Sequence, residues 1–155
     1  MKVTRPKRTR QRARVRQMAA VPQLTKERCE ALEAKIGYTF KDRNLVDRAM
    51  THASAISEKK ARFSYERLEF LGDRVLGLVI ADSLFQKFEG EPEGGLAPRL
   101  NALVNREACA EASLRLGLDE FLILDQAEEK AGGRKKASIL SDICESLLGA
   151  VYLDG

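Results

Sequence analysis

The chain has 155 residues, of which 44% are apolar and 32% charged, with a formal net charge of +4. That length and balance suit one globular domain with a real core, and no run of apolar residues is long enough to suggest a membrane-spanning helix. One histidine, His52, and three scattered cysteines, Cys29, Cys109 and Cys144, argue against a zinc site. They also leave little for a Ser-His or Cys-His nucleophile, so hydrolytic chemistry in this chain is expected to rest on carboxylates and a hard metal.

Residues 1–16 hold eight Lys or Arg and no acid. Removing those eight from the 27 basic residues leaves 19 against 23 acids, a net of about −4 for the remainder. Residues 1–22 therefore read as a basic tail, disordered in isolation and suited to sequence-blind, salt-sensitive contact with polyanions. The tail has no apolar h-region and does not read as a secretory signal. The isolated thiols suit a reducing cytoplasm.

Leu24, Arg28, Leu32 and Ile36 recur at four-residue steps and predict a helix closed by Gly37. Asp42 is an expected N-cap for a second helix through Leu45, Val46 and Met50. Thr51 to Phe63 reads as a polar loop. Ser64 is an expected cap for a long helix running to Phe88 (SYERLEFLGDRVLGLVIADSLFQKF), apolar on most sides and so expected to be the buried central helix. EGEPEGG at 89–95 is a break, and Leu96 to Val104 is a short helix with Pro98 in its first turn. Arg106 to Leu116 is expected to be amphipathic, with Cys109, Ala112 and Leu116 on one side. A polar stretch from Asp125 to Lys136 precedes a last helix from Ala137 to Leu153. No segment alternates with period two, so the expected fold is all-α.

Three acids, Glu66, Glu69 and Asp73, open the long helix within an arc of roughly 60° at about 100° per residue. Asp142 and Glu145, three apart, share a face of the last helix. Taken singly, each has an ordinary alternative: Glu66 a favourable interaction with the helix N-terminus, Asp142 an ion pair with a nearby arginine. Taken together, two compact acid sets on largely apolar helices repel unless a cation joins them. Carboxylate oxygens without His or Cys suit Mg²⁺ or Mn²⁺. Such a centre favours hydrolysis of phosphodiesters.

ERLEFLGDRVL at 66–76 and SILSDICESLLGAVYLDG at 138–155 resemble the two signature blocks of the ribonuclease III family of double-stranded-RNA endonucleases. IGYTFKDRNLVDRAMTHAS at 36–54 is similar to the family's opening helices. The resemblance implies that residues 23–155 form an all-α endonuclease domain working as a symmetric homodimer. It implies a Mg²⁺-dependent cut of double-stranded RNA, leaving 5′-phosphate and 3′-hydroxyl ends with short 3′ overhangs. It further implies work on ribosomal RNA precursors and other structured transcripts.

Glu69, Asp73, Asp142 and Glu145 match the family's metal-binding acids, with Asp73 and Glu145 the most critical for cleavage. Glu66 matches an acid lining the cleft. Phe70 matches an aromatic that plugs into the partner, and Glu93 a glutamate that reaches the partner's site. An ordinary core phenylalanine and a solvated loop acid are the alternatives for these last two. Arg134, Lys135 and Lys136 are candidate phosphate contacts or simply a solvated basic loop, and His52 reads as structural. Bacterial members carry a separate RNA-binding domain beyond the nuclease domain, which this chain lacks, so it resembles a truncated form. A fold of this family that has lost catalysis and serves as an RNA scaffold is the alternative function.

Overall fold

The computed structural model describes residues 22–155, so the basic tail at 1–22 lies outside the described residues apart from Pro22. Among the described residues seven α-helices follow in order: α1 (Lys26–Ile36), α2 (Arg43–Ala49), α3 (Glu66–Lys87), α4 (Glu93–Val104), α5 (Arg106–Arg115), α6 (Gln126–Lys130) and α7 (Ala137–Asp154). Short 3₁₀ turns at Ala53–Ala55, Glu58–Phe63, Leu118–Phe121 and Gly133–Lys135 join them. The described residues contain no β-strand, only one isolated parallel bridge between Thr51 and Ile123. None of their helices is long and apolar enough to cross a membrane.

Local chemistry explains most of the boundaries. Thr25 caps α1 by accepting the Arg28 N–H, and Gly37 ends it in the left-handed region at φ +68°, where a Cβ would be strained. Asp42 caps α2 through the Asn44 N–H, and Asn105 caps α5 through the Ala108 N–H. Two expectations fail here. Ser64 does not cap α3: Tyr65 occupies the N-cap position, and the buried Ser64 hydroxyl turns instead to Glu66 Oε2 at 3.2 Å. Pro98 is not in a first turn, because α4 already begins at Glu93 behind Pro92. Pro98 cannot donate to the Gly94 carbonyl, but both residues are exposed, so water can take the acceptor.

The centre of the domain is α7 rather than α3. Ile139, Leu140, Ser141, Ile143, Ser146, Leu147, Gly149 and Ala150 of α7 are buried. The helix packs most extensively on α3 and α5, and then on α2. The core joins Leu32, Val46, Met50, Leu68, Leu118 and Leu122 to Leu140 and Ile143. By contrast, α3 buries only Leu68, Gly72 and Leu84, while Phe70 (66%), Leu78 (71%), Val79 (54%) and Phe85 (71%) stand exposed. The expected buried central helix is thus half surface in one chain. On α5 the buried residues are Cys109, Ala110 and Ser113, while Ala112 is half-buried and Leu116 exposed. Hydrophobic pattern alone cannot tell a face that enters a core from one that waits for a partner.

Three polar ties fix α7 in register. The Ser113 hydroxyl donates to the Leu140 carbonyl at 2.6 Å, and the Ser146 hydroxyl to the Ala49 carbonyl at 2.7 Å. At the far end, Asp154 accepts from the Lys41 and Asp42 N–H groups and from the Tyr38 hydroxyl, at 2.8, 2.9 and 2.9 Å.

Candidate metal centre

The site forms where α3 crosses α7, and the crossing is made by glycines. A Cβ on Gly72 would sit 1.6 Å from the Glu145 carbonyl oxygen, and one on Gly149 would sit 2.3 Å from that of Leu68. The helices therefore touch backbone to backbone. Glu69, three residues before Gly72, and Glu145, four before Gly149, are brought face to face by that contact. Glu69, Asp142 and Glu145 each offer a carboxylate oxygen, and the three oxygens lie within 4.8 Å of one another. All three residues are half-buried.

The electrostatics of the cluster follow from its burial. Desolvation first, then the charges of Asp142, Glu66 and Asp73, push Glu69 up to about 7. Desolvation first, then the fields of Cys109, Asp73, Glu69 and Asp142, push Glu145 up to about 7. Asp142 is also raised by desolvation, but less freely, because a hydrogen bond from Tyr65 and the charges of Arg106 and His52 favour its anion. An all-oxygen set of crowded carboxylates fits a hard divalent cation, whose charge would relieve the repulsion.

Asp73 is near enough to raise both glutamates, yet its own carboxylate is exposed and turned to Arg74, with Nη1 to Oδ2 at 2.6 Å. It is the one acid of the expected metal set that stands outside the three-residue cluster. Glu66 is exposed at the start of α3 and accepts from Ser64. Phe70 is no core residue: it is exposed, with the Arg74 guanidinium 4.2 Å over its ring. Glu93 opens α4 and lines a cavity of about 410 Å³ with Leu78, Phe85, Leu96 and Leu100.

The basic run is engaged within the chain. Arg134 pairs with Glu129 and donates to the carbonyls of Asp119 and Leu122, Lys135 pairs with Asp119 at 2.7 Å, and Lys136 pairs with Glu128. These ties staple the 3₁₀ turn ahead of α7 to the rest of the domain. The His52 Nδ1 accepts from the Ser54 N–H at 3.1 Å, and its ring lies edge-on to Tyr65 with centroids 5.6 Å apart.

Two features escaped the sequence reading. Tyr65 is 3% exposed and donates its hydroxyl to Asp142 Oδ2 at 3.1 Å. No periodicity marks it, although its place directly ahead of the acid-bearing helix is a signal in retrospect. The cysteines are also less scattered than they read: Cys109 of α5 and Cys144 of α7, the latter next to Glu145 in the chain, lie close enough to influence each other's ionisation. All three cysteines are free thiols.

Comparison with known proteins shows what the chain is similar to. A family model described as ribonuclease-III-like matches residues 42–155. A ribonuclease 3 from Methylocella silvestris is 46% identical over 138 residues, covering 89% of this chain and 55% of the relative. One from Caulobacter vibrioides is 49% identical over 124 residues, covering 80% and 54%. The chain thus spans about half the length of the curated relatives it matches. Among solved structures, the nuclease domain of ribonuclease III from Campylobacter jejuni superposes with a TM-score of 0.77 at 44% identity, covering 81% of this chain and 85% of that one. That structure is described as showing structural flexibility in a region involved in dimer formation.

Proposed function

The chain belongs to the ribonuclease III family, and from that premise we propose that it is a Mg²⁺-dependent endoribonuclease domain that hydrolyses double-stranded RNA as a homodimer. The observation that carries this reading is the convergence of Glu69, Asp142 and Glu145 to within 4.8 Å at the helix crossing, with Asp73 beside them. These four acids would hold Mg²⁺, or Mn²⁺ in its place, and Asp73 would leave Arg74 to do so. When bound, the cation supplies positive charge against the charge that builds on a phosphoryl group.

The chain's own residues do the rest. Glu69 and Glu145 stand near 7, so at neutral pH they are poised to ionise fully when a cation arrives. Glu66 lines the approach to the cluster. The exposed stripe of Phe70, Leu78, Val79 and Phe85 supports a second copy as the covering surface. Phe70 would enter the partner, and Glu93 would reach towards the partner's acids. Two such centres in one dimer would each cut one strand. Reading by backbone and shape suits A-form RNA, whose major groove is too narrow for side chains. Arg134, Lys135 and Lys136 would add phosphate contacts only by exchanging their acidic partners for RNA.

The products would carry 5′-phosphate and 3′-hydroxyl ends with short 3′ overhangs, and structured precursors such as ribosomal RNA would be substrates. Free thiols support a cytoplasmic setting, and the single histidine, held by Ser54, supports a site without zinc.

The test is an end-labelled RNA duplex incubated with the protein in Mg²⁺, with ends mapped on both strands. Staggered cuts that vanish in EDTA and in Asp73→Asn are expected. Binding of the duplex without any cut by the wild type would favour the scaffold reading instead.

A further inference from the structure

We propose that Tyr65 is a positioning residue for the cation site, its buried hydroxyl holding Asp142 in the geometry that converges on Glu69 and Glu145. The inference rests on the acids binding a divalent cation. Tyr65 is locked on every side. Its N–H donates to the Thr51 carbonyl at 3.0 Å, and its own carbonyl accepts from the Leu68 and Glu69 N–H groups, both at 2.8 Å. Its ring lies edge-on to His52, and only 3% of the residue is exposed. The hydroxyl therefore points from a fixed place.

What it meets there is Asp142 Oδ2, with the charges of Glu69 and Glu66 close behind. In that bond the phenol O–H is the donor, because an ionised carboxylate only accepts. An ionised carboxylate has about four acceptor positions. Tyr65 takes one and leaves the others to face the cluster. Without the hydroxyl, Asp142 would rotate about its own side-chain bonds, and the three-oxygen convergence would depend on the cation alone. Groups of this outer kind set ligand orientation, and their loss typically costs about 10–100-fold in metal affinity. Tyr65 also ties the two acid-bearing helices together, because it starts α3 and grips α7.

Tyr65→Phe removes the hydroxyl and keeps the ring, so the fold should survive, with a metal-free melting temperature close to wild type. Mn²⁺ affinity, read by electron paramagnetic resonance on the full chain, should fall at least about 10-fold. In duplex cleavage the half-saturating Mg²⁺ should rise similarly, while the rate at saturating Mg²⁺ is largely recovered. In an Asp142→Asn background, Tyr65→Phe should change Mn²⁺ affinity by less than about twofold, because the hydroxyl acts through that carboxylate. Equal Mn²⁺ affinity in wild type and Tyr65→Phe, or an undiminished effect in the Asp142→Asn background, would overturn the inference and leave the metal reading standing. A wild type that binds no Mn²⁺ would overturn both.

Discussion

Gly72 of α3 and Gly149 of α7 touch backbone to backbone, and each stands where any side chain would strike the opposing helix. The contact sets the distance between the two acid-bearing helices. Gly72→Ala would place a methyl carbon inside the Glu145 carbonyl, a fixed backbone atom that cannot yield as a flexible side-chain tip would. The expected cost is about 3 kcal/mol or more, at the upper end of overpacking effects. Denaturant unfolding measures it. Any Gly72→Ala protein that still folds should bind Mn²⁺ more weakly, because Glu69 moves away from Asp142 and Glu145.

Crowded acids cost the protein stability in the absence of a cation. Glu145→Gln removes one charge from the cluster and should raise the metal-free melting temperature by a few degrees. The same substitution should erase most of the stabilisation that millimolar Mg²⁺ gives the wild type by mass action. Differential scanning calorimetry with and without Mg²⁺ reads both effects. A wild type whose melting temperature ignores Mg²⁺ would count against a preformed site.

Acidity should act in the same direction. Glu69 and Glu145 stand at about 7 in the folded chain, above the ordinary glutamate value of 4.5. Between those values the folded state binds more protons than the unfolded one, so stability falls as pH rises. Metal-free protein should thus be more stable near pH 5 than near pH 7.5, with the contribution fully present below about 4.5. Both residues are only half-buried, so solvent weakens the effect. Stabilisation by Mg²⁺ should run the other way, growing from pH 6 to pH 8 as the cation displaces protons. Melting curves across that range, with and without Mg²⁺, test the crossing of the two trends.

Phe70 should matter to assembly more than to folding. It is 66% exposed in the single chain, so Phe70→Ala should change protomer stability by only about 0.5 kcal/mol. Sedimentation equilibrium should show a dimeric wild type and a shift towards monomer in the variant. A wild type that remains monomeric at high concentration would contradict the dimer reading.

Much of this was legible from the residues. Asp42 and Gly37 announce their helix ends because each satisfies a backbone need that few residues meet. The acid pattern was legible because carboxylates on apolar helices are physically costly. What hydropathy could not convey was which apolar face is inside: α3 reads as a core helix, yet Phe70, Leu78 and Phe85 face outwards while α7 takes the centre. Nor could it convey partners distant in the chain. Tyr65 lies 77 positions from Asp142, and Lys135 lies 16 from Asp119; only the fold brings them together. Asp73 carries the same lesson in reverse, since helix spacing placed it with Glu69 while its side chain pairs with its neighbour Arg74.

The most direct measurement is a crystal structure of the protein grown or soaked with Mn²⁺, with anomalous scattering recorded at the manganese edge. A single strong peak between the carboxylates of Glu69, Asp142 and Glu145, with Asp73 swung off Arg74 towards it, is the expected result. Full diffraction from metal-soaked crystals with no anomalous peak at these acids, or with manganese bound only elsewhere, would contradict the account.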